Sequence, residues 1–284
     1  MSSIAYLNGV WQAPEDTKVS VLDRGFMFGD GVYEVIPVYF GKPFTLPRHL
    51  NRLDKSLGEI NLKNPLDHEG WVALIEEAVA RSGETTAYVY LQVTRGVAGK
   101  RDHAYPTNAE PTVLVMVYEA PILEREHVEP LKMVTADDYR WSRGHIKTVS
   151  LIAAGMLKNR ALAEGADDAI LIRDGKVTEA TASNIFIVRD GVLITPPKTN
   201  HLLHGITRDL VVELVRTAGL PFEERDIPLA ELKSADEVMI TSSGHEIWPV
   251  GRIDDKVIGN GEGGLVWQQV DRLFQSFKEE FRVG

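Results

Sequence analysis

Four short stretches carry residues whose type and setting suit chemistry. In GHIKTVSLIAAGMLKNRALAEG, Lys147 lies between Ile146 and Val149, just ahead of a small-residue run with helical patterning. A lysine desolvated there has its charged form disfavoured and its amine made nucleophilic, as a Schiff-base lysine requires. The plainer alternative is a lysine that snorkels to water or pairs with an acid. In HGITRDLVVELVRTAG, Gly205, Ile206 and Thr207 lead straight into an amphipathic helix. Unpaired N–H groups, a positive dipole end and a hydroxyl are the ingredients of a phosphate cup, or simply an ordinary threonine N-cap. In MITSSGHEIWPV, Thr241, Ser242, Ser243 and Gly244 follow an apolar strand. Such a hydroxyl-rich turn suits phosphate oxygens and also serves as a routine connector. In VTEATASNIF, Glu179 stands near a strand end among small and hydroxyl residues. It is placed to hold a proton on a pyridinium nitrogen, or to sit on a solvated strand edge.

The elements that must position these residues fall into two halves. YLNGVWQ carries an Asn8-Gly9 turn between apolar runs, the strongest short hairpin signal. GVYEVIPVYFGKPFTL reads as a strand, a turn at Gly41 and a return, with Pro37 at an edge or bulge because proline has no N–H for a ladder. Leu50, Leu53, Leu57 and Ile60, then Trp71, Leu74, Ile75, Ala78 and Val79, recur at helical spacing. AYVYLQVTRG and PTVLVMVYEA are β-branched, aromatic strands that close a small α+β unit. EAPIL, residues 119–123, is the expected linker, which puts a small α+β domain at 1–120 and a larger domain at 121–284. Beyond the linker, Asp174-Gly175 and Asp190-Gly191 mark antiparallel hairpins, and helices are expected over 151–164, 208–218 and 265–281. The second half is expected to be barrel-like, with helices around it. No G-x-G-x-x-G follows a strand, so a dinucleotide site is not indicated.

Composition narrows the partner class. The chain has 284 residues, 44% hydrophobic and 25% charged, with a formal net charge of -10 that is not gathered in a tail. Nucleic acid and anionic membranes call for clustered positive charge, so small-molecule partners are expected instead. The absence of cysteine excludes disulfides, a thiolate nucleophile and a thiolate metal site, and fits a reducing cytoplasm. The start, MSSIAYLNGVW, has no basic segment followed by an apolar one, and no run of about 18 apolar residues occurs, so neither secretion nor a membrane span is expected.

Taken together, Arg52 in HLNRL, Lys147 in HIK, Glu179 in VTEATASNIF, GITR at 205–208 and TSSGHEIWPV closely resemble the fold type IV pyridoxal-phosphate enzymes. That family includes branched-chain and D-amino-acid aminotransferases, aminodeoxychorismate lyase and (R)-selective amine transaminases. The resemblance runs in order from YLNG to the last helix. It implies a mixed α/β two-domain fold and pyridoxal 5′-phosphate as cofactor, with no metal. It also implies that Lys147 carries the cofactor as a Schiff base and shuttles the proton. Arg52, Ile206, Thr207 and Ser242 would hold the phosphate, and Glu179 would pair with the pyridinium nitrogen.

Within the family, QVTRGVAGKRDHAYP resembles the D-amino-acid aminotransferases, whose Arg-x-His pattern falls on Arg101 and His103. There the loop reaches over from the other subunit of a homodimer and, with a first-strand tyrosine (Tyr33 here), traps the substrate α-carboxylate. An arginine with two neutral donors suits that task; read without the family, KRDH is an exposed basic loop. The implied reaction is ping-pong transamination of D-alanine-like donors, with a 2-oxo acid such as 2-oxoglutarate as acceptor. The alternatives are an (R)-amine transaminase, a branched-chain L-amino-acid transaminase, the lyase and a non-catalytic cofactor-binding protein. Pro37 and Trp248 depart from the pattern of the D-specific group, and Trp248 could narrow the side-chain pocket.

Overall fold

The computed structural model describes residues 4–121, 123, 125 and 128–283. Its contacts divide the chain into two units, Met1–Ile122 with Ile146–Ser150, and Leu123–His145 with Leu151–Gly284. The segment carrying Lys147 therefore belongs with the first unit, not with a domain spanning 121–284 throughout.

The first unit contains β1 (Ile4–Leu7), β2 (Val10–Gln12), α1 (Arg24–Phe28), β3 (Gly31–Tyr39), β4 (Lys42–Pro43), α2 (Leu46–Glu59), α3 (His68–Ser82), β5 (Ala87–Thr94) and β6 (Thr112–Glu119). The strands form one sheet in the order β2-β1-β6-β5-β3-β4. Every pairing in it is antiparallel. The Asn8-Gly9 turn takes positive φ at both residues, as a tight hairpin demands. Alternation puts Val32, Ile36 and Val38 of β3 on one face with Val89, Leu91 and Val93 of β5. The apolar stripes of α2 (Leu46, Leu50, Leu53, Leu57) and α3 (Trp71, Leu74, Ile75, Ala78) join the same core. Burying each such large side chain contributes roughly 1.5–3 kcal/mol. Pro37 pairs with Tyr88 of β5, and its carbonyl accepts the Phe44 N–H at 2.7 Å. Amide and carbonyl of one strand residue point to the same side, so the missing N–H falls on the edge that only the two-residue β4 covers.

The Lys147 segment joins this unit because it runs along β3. Val32 bridges Thr148, the Tyr33 N–H donates to the Lys147 carbonyl at 2.9 Å, and the Val149 N–H donates to the Gly31 carbonyl at 3.1 Å.

The second unit contains β7 (Leu131–Asp137), α4 (Ile152–Ala163), β8 (Asp168–Arg173), β9 (Lys176–Ala180), β10 (Asn184–Arg189), β11 (Val192–Thr195), α5 (Ile206–Thr217), β12 (Phe222–Glu224), α6 (Leu229–Lys233), β13 (Glu237–Ser242), β14 (Glu246–Ile253), β15 (Lys256–Val257) and α7 (Leu265–Val283). The sheet order is β12-β11-β10-β13-β14-β7-β8-β9, with β15 on β14. It curls back on itself. β9 passes into β10 through three residues, and the Ala180 N–H donates to the Ser183 carbonyl at 2.7 Å, drawing the last strand of the order towards an inner one. Both Asp-Gly turns close antiparallel hairpins. The sheet is nevertheless mixed. β7 pairs in parallel with β8 and β14, and β11 with β12. A parallel return needs a long crossover, which α4 provides between β7 and β8 and α5 between β11 and β12.

Candidate active site

Glu34 occupies an inward position of β3 between Val32 and Ile36, and a carboxylate buried there has to be paired. Helix α2 supplies the partners. Arg52 Nε and Nη2 donate to Oε1 and Oε2 at 2.8 and 2.7 Å, and His49 Nδ1 lies 2.8 Å from Oε2. Burial raises the Glu34 pKa, but the Arg52 charge and hydrogen bonds, with His49, outweigh it and bring it to about 2. The His49 pKa is lowered as well, in its case chiefly by burial. Its bond to Glu34 opposes that shift, and the nearby Arg52 and Lys147 charges reinforce it. Lys147 is partly buried, with Nζ 4.2 Å from the Tyr33 ring centroid and its backbone N–H donating to Ser56 Oγ at 3.3 Å. Tyr33 in turn stacks on Tyr90 at 5.7 Å. The first unit thus brings Lys147 to Tyr33 and pairs Arg52 with Glu34 and His49, a buried cluster that the spacing of charges did not reveal.

The Arg101–His103 loop is held elsewhere in the same unit. The Arg101 guanidinium lies 5.0 Å from the Phe28 ring, and His103 meets the same ring edge-on at 5.6 Å. The buried Arg24 of α1 straps the loop down, donating to the carbonyls of Asp102 at 2.6 Å and Ala104 at 3.3 Å. Asp30 anchors that arginine through Nε at 2.7 Å and accepts from Arg95 as well. Arg101 and His103 are both exposed, and within one chain they gather on Phe28 while Tyr33 gathers with Lys147. Nothing local in LDRGFMFGDG marks Arg24 as the partner of a loop some 80 residues on, or Asp30 as the anchor of that arginine.

In the second unit Glu179 is buried, although its strand β9 ends the sheet order. The cause is a bulge. Ile170 pairs with Ala180 and Ile172 with Val177, which leaves Leu171 opposite both Thr178 and Glu179. A bulge re-aims side chains that would otherwise alternate, and here Thr178 and Glu179 both turn to the segment after β7. Glu179 Oε1 accepts from Arg140 Nη1 at 2.7 Å, and Oε2 accepts the Leu203 N–H at 3.0 Å with Asn184 Nδ2 at 3.4 Å. Burial raises its pKa to about 7, against the pull of Arg140. Such a group is ready to carry or share a proton near neutrality.

Gly205, not Thr207, caps α5, and no side chain bonds the helix start, so the threonine N-cap reading is set aside. Asn184 Nδ2 donates to the Leu203 carbonyl at 2.8 Å and pairs across the ladder with Thr241. A Cβ on Gly205 would come within 2.0 Å of Asn184 Oδ1, so only glycine fits this approach. The Thr241 hydroxyl is buried and, among the described residues, lacks a hydrogen-bond partner. Ser242 Oγ accepts the His245 N–H at 3.0 Å. A helix start with no side-chain cap beside an unsatisfied hydroxyl suits phosphate, and a buried carboxylate with a pKa of about 7 suits a ring nitrogen. The chain's own groups therefore fit pyridoxal 5′-phosphate. Trp248 is committed to the protein, its indole N–H donating to the Glu129 carbonyl at 2.9 Å and its side chain packing against the buried apolar cluster of the second unit that includes Ile185, Ile240 and Val250.

Comparison with known proteins gives the same class. The family of class IV aminotransferases matches residues 31–253. D-alanine aminotransferase of Listeria monocytogenes serotype 1/2a is 40% identical over 262 residues, covering 92% of this chain and 91% of that protein. D-alanine aminotransferase of Bacillus licheniformis is 39% identical over 269 residues, 95% of each. Among solved structures, the branched-chain amino acid aminotransferase of T.th. with pyridoxamine 5′-phosphate superposes with a TM-score of 0.88 at 28% identity, covering 96% of this chain and 92% of that one.

Proposed function

The chain belongs to the class IV aminotransferases, and from that premise we infer that it transfers amino groups between D-amino acids and 2-oxo acids with pyridoxal 5′-phosphate. The D series rests on the D-alanine aminotransferases that align over nearly the whole chain, at 40% and 39% identity. When bound, the cofactor supplies the electron sink and the carbon that accepts the amino group.

The roles of the residues follow from their chemistry. Lys147 Nζ takes the proton from the substrate α-carbon and returns it on the far side of the transfer. Glu179 holds a proton on the ring nitrogen, and its burial with both oxygens engaged is the observation that carries the cofactor reading. Ile206 and Thr207 offer backbone N–H groups at the start of α5, Ser242 a hydroxyl and Arg52 a guanidinium to the phosphate. Arg101, His103 and Tyr33 bind the substrate carboxylate and so select which face of the α-carbon meets Lys147. The Arg101–His103 loop serves the site of the other subunit in a homodimer, in keeping with its packing on Phe28 while Lys147 of the same chain packs on Tyr33. The same reading puts the enzyme in the cytoplasm. No helix among the described residues is long and apolar enough to cross a membrane.

The test is a half-reaction followed by absorbance of the purified, cofactor-loaded protein with D-alanine, L-alanine, D-leucine and L-leucine in separate samples. Conversion to the pyridoxamine form with the D-amino acids alone is expected, and Lys147→Ala should remove it while the circular dichroism stays native. Conversion with L-leucine alone would move the protein to the branched-chain group. Normal turnover in Lys147→Ala would overturn the role of the lysine.

A further inference from the structure

Behind Glu179 stands a second set of charges that transamination by Lys147 does not itself require. Asp138 follows β7 and grips Arg140 like a fork, Nε to Oδ1 at 2.9 Å and Nη2 to Oδ2 at 3.0 Å, with the Arg140 backbone N–H on Oδ1 at 3.1 Å. The fork leaves Nη1 to reach Glu179. Asp138 is itself fixed, accepting from Thr178 Oγ1 at 2.9 Å and lying 3.4 Å from Arg173 Nη2. Arg173 also donates to the Arg140 carbonyl at 2.7 Å and approaches His201 Nδ1 at 3.3 Å. The groups facing Glu179 are then Arg140 and Asp138 after β7, Arg173 at the end of β8, Asn184 of β10, and Leu203 and His201 from the segment before α5. Among them the guanidinium of Arg140 is the cation in direct contact.

We propose that Arg140, clamped by Asp138, is a positioning residue that fixes the pose of the Glu179 carboxyl and favours its ionised form once a protonated ring nitrogen faces it, so that the site selects a ring bearing that nitrogen. The proposal rests on the cofactor reading of Glu179 given above. A buried carboxylate left to itself takes up a proton, and a protonated Glu179 would confront a ring N–H with a neutral group. The Asp138 fork prevents Arg140 from swinging away, and the bulge at Thr178 and Glu179 lets one strand touch both members of the pair. Arg140 touches neither substrate nor phosphate in this role. It acts only through Glu179.

The test compares the affinity of the cofactor-free protein for pyridoxamine 5′-phosphate and for its analogue with the ring nitrogen replaced by carbon. In the wild type the nitrogen-bearing ring should bind at least about tenfold more tightly, the scale of one charge-assisted hydrogen bond. If the wild type shows no preference, the reading of Glu179 fails before any variant is made. Arg140→Gln should weaken the nitrogen-bearing ring by about tenfold or more and leave the analogue unchanged within about twofold. Equal losses for both ligands would make Arg140 a merely structural residue and overturn the proposal. Should Arg140→Gln fail to fold, Asp138→Asn is read in the same way, since it loosens the fork and keeps the guanidinium. In a Glu179→Gln background, Arg140→Gln should add nothing to the loss of preference, and an additive loss would also count against it.

Discussion

Two glutamates buried to a similar degree are tuned in opposite directions, and the difference lies in how many cations reach them. Glu34 receives two guanidinium nitrogens and a histidine and stays charged, with a pKa of about 2. Glu179 receives one guanidinium nitrogen from an arginine shared with Asp138, and burial prevails at about 7. The stability consequences have opposite signs. The folded pKa of Glu34 lies below its ordinary 4.5, so its contribution is present above that value and is lost as pH falls towards about 2, on the order of 3 kcal/mol. The folded pKa of Glu179 lies above 4.5, so its contribution is complete below 4.5 and declines as pH rises to about 7. Denaturant unfolding of the cofactor-free protein between pH 5 and 7 should therefore show wild type losing stability relative to Glu179→Gln, by up to about 1.4 kcal/mol per pH unit. Parallel curves for the two proteins would mean that Glu179 is already ionised throughout that range. Small, hydroxyl-rich surroundings single out Glu179 in the sequence, and nothing comparable singles out Glu34. A glutamate in an apolar alternating run signals either an error of register or a buried pair, and only the approach of α2 distinguishes them.

At the level of elements, periodicity placed the helices and turn chemistry placed the hairpins. Leu50, Leu53 and Leu57 share a face of α2, and Asn8-Gly9, Asp174-Gly175 and Asp190-Gly191 all turn with positive φ, because these signals act within a few residues. What escaped was whatever depends on distant partners. These are the parallel pairing of β7, the bulge that turns Glu179 inward, and the alignment of Ile146–Ser150 with β3. The start of α5 lies between these cases, since its sequence suggested an anion cup while the reason for Gly205 appears only when Asn184 is in place. Gly205→Ala should disturb Asn184 and the helix start together, lowering affinity for pyridoxamine 5′-phosphate by about tenfold or more and stability by roughly 1–3 kcal/mol. Gly58→Ala is the matched control. It lies in α2, its added Cβ would meet nothing within 4 Å, and it should raise stability by about 0.5–1 kcal/mol. Calorimetry of both variants with and without ligand separates a cradle effect from a general helix effect. If Gly205→Ala bound ligand like wild type, the glycine would be needed for folding alone.

For the molecule as a whole, the decisive matter is which chain completes which site. The first unit exposes Val19, Val21, Leu22, Phe26 and Val97, a concentration of apolar surface that suits a second copy better than water. The Arg101–His103 loop is strapped by Arg24 to the same unit, so a partner that covers this region also receives the loop in a fixed pose. In the homodimer proposed above, closed by a two-fold axis, each loop would serve its neighbour and the two sites would exchange their arginines. Two inactive proteins can test this. Arg101→Ala leaves every site without the carboxylate contact, and Lys147→Ala leaves every site without its amine. When the two are co-expressed, a mixed dimer contains one site built from the Lys147 of one chain and the Arg101 of the other. With random pairing the mixture should regain about a quarter of the wild-type rate, since half the dimers are mixed and one of their two sites is intact. Recovery must disappear when both substitutions lie on one chain and the partner is itself inactive through Lys147→Ala, because no site then unites the two groups. A mixture no more active than the sum of its parents, with sedimentation showing mixed dimers present, would return the loop to its own subunit and require Arg101 to leave Phe28 before it could meet substrate.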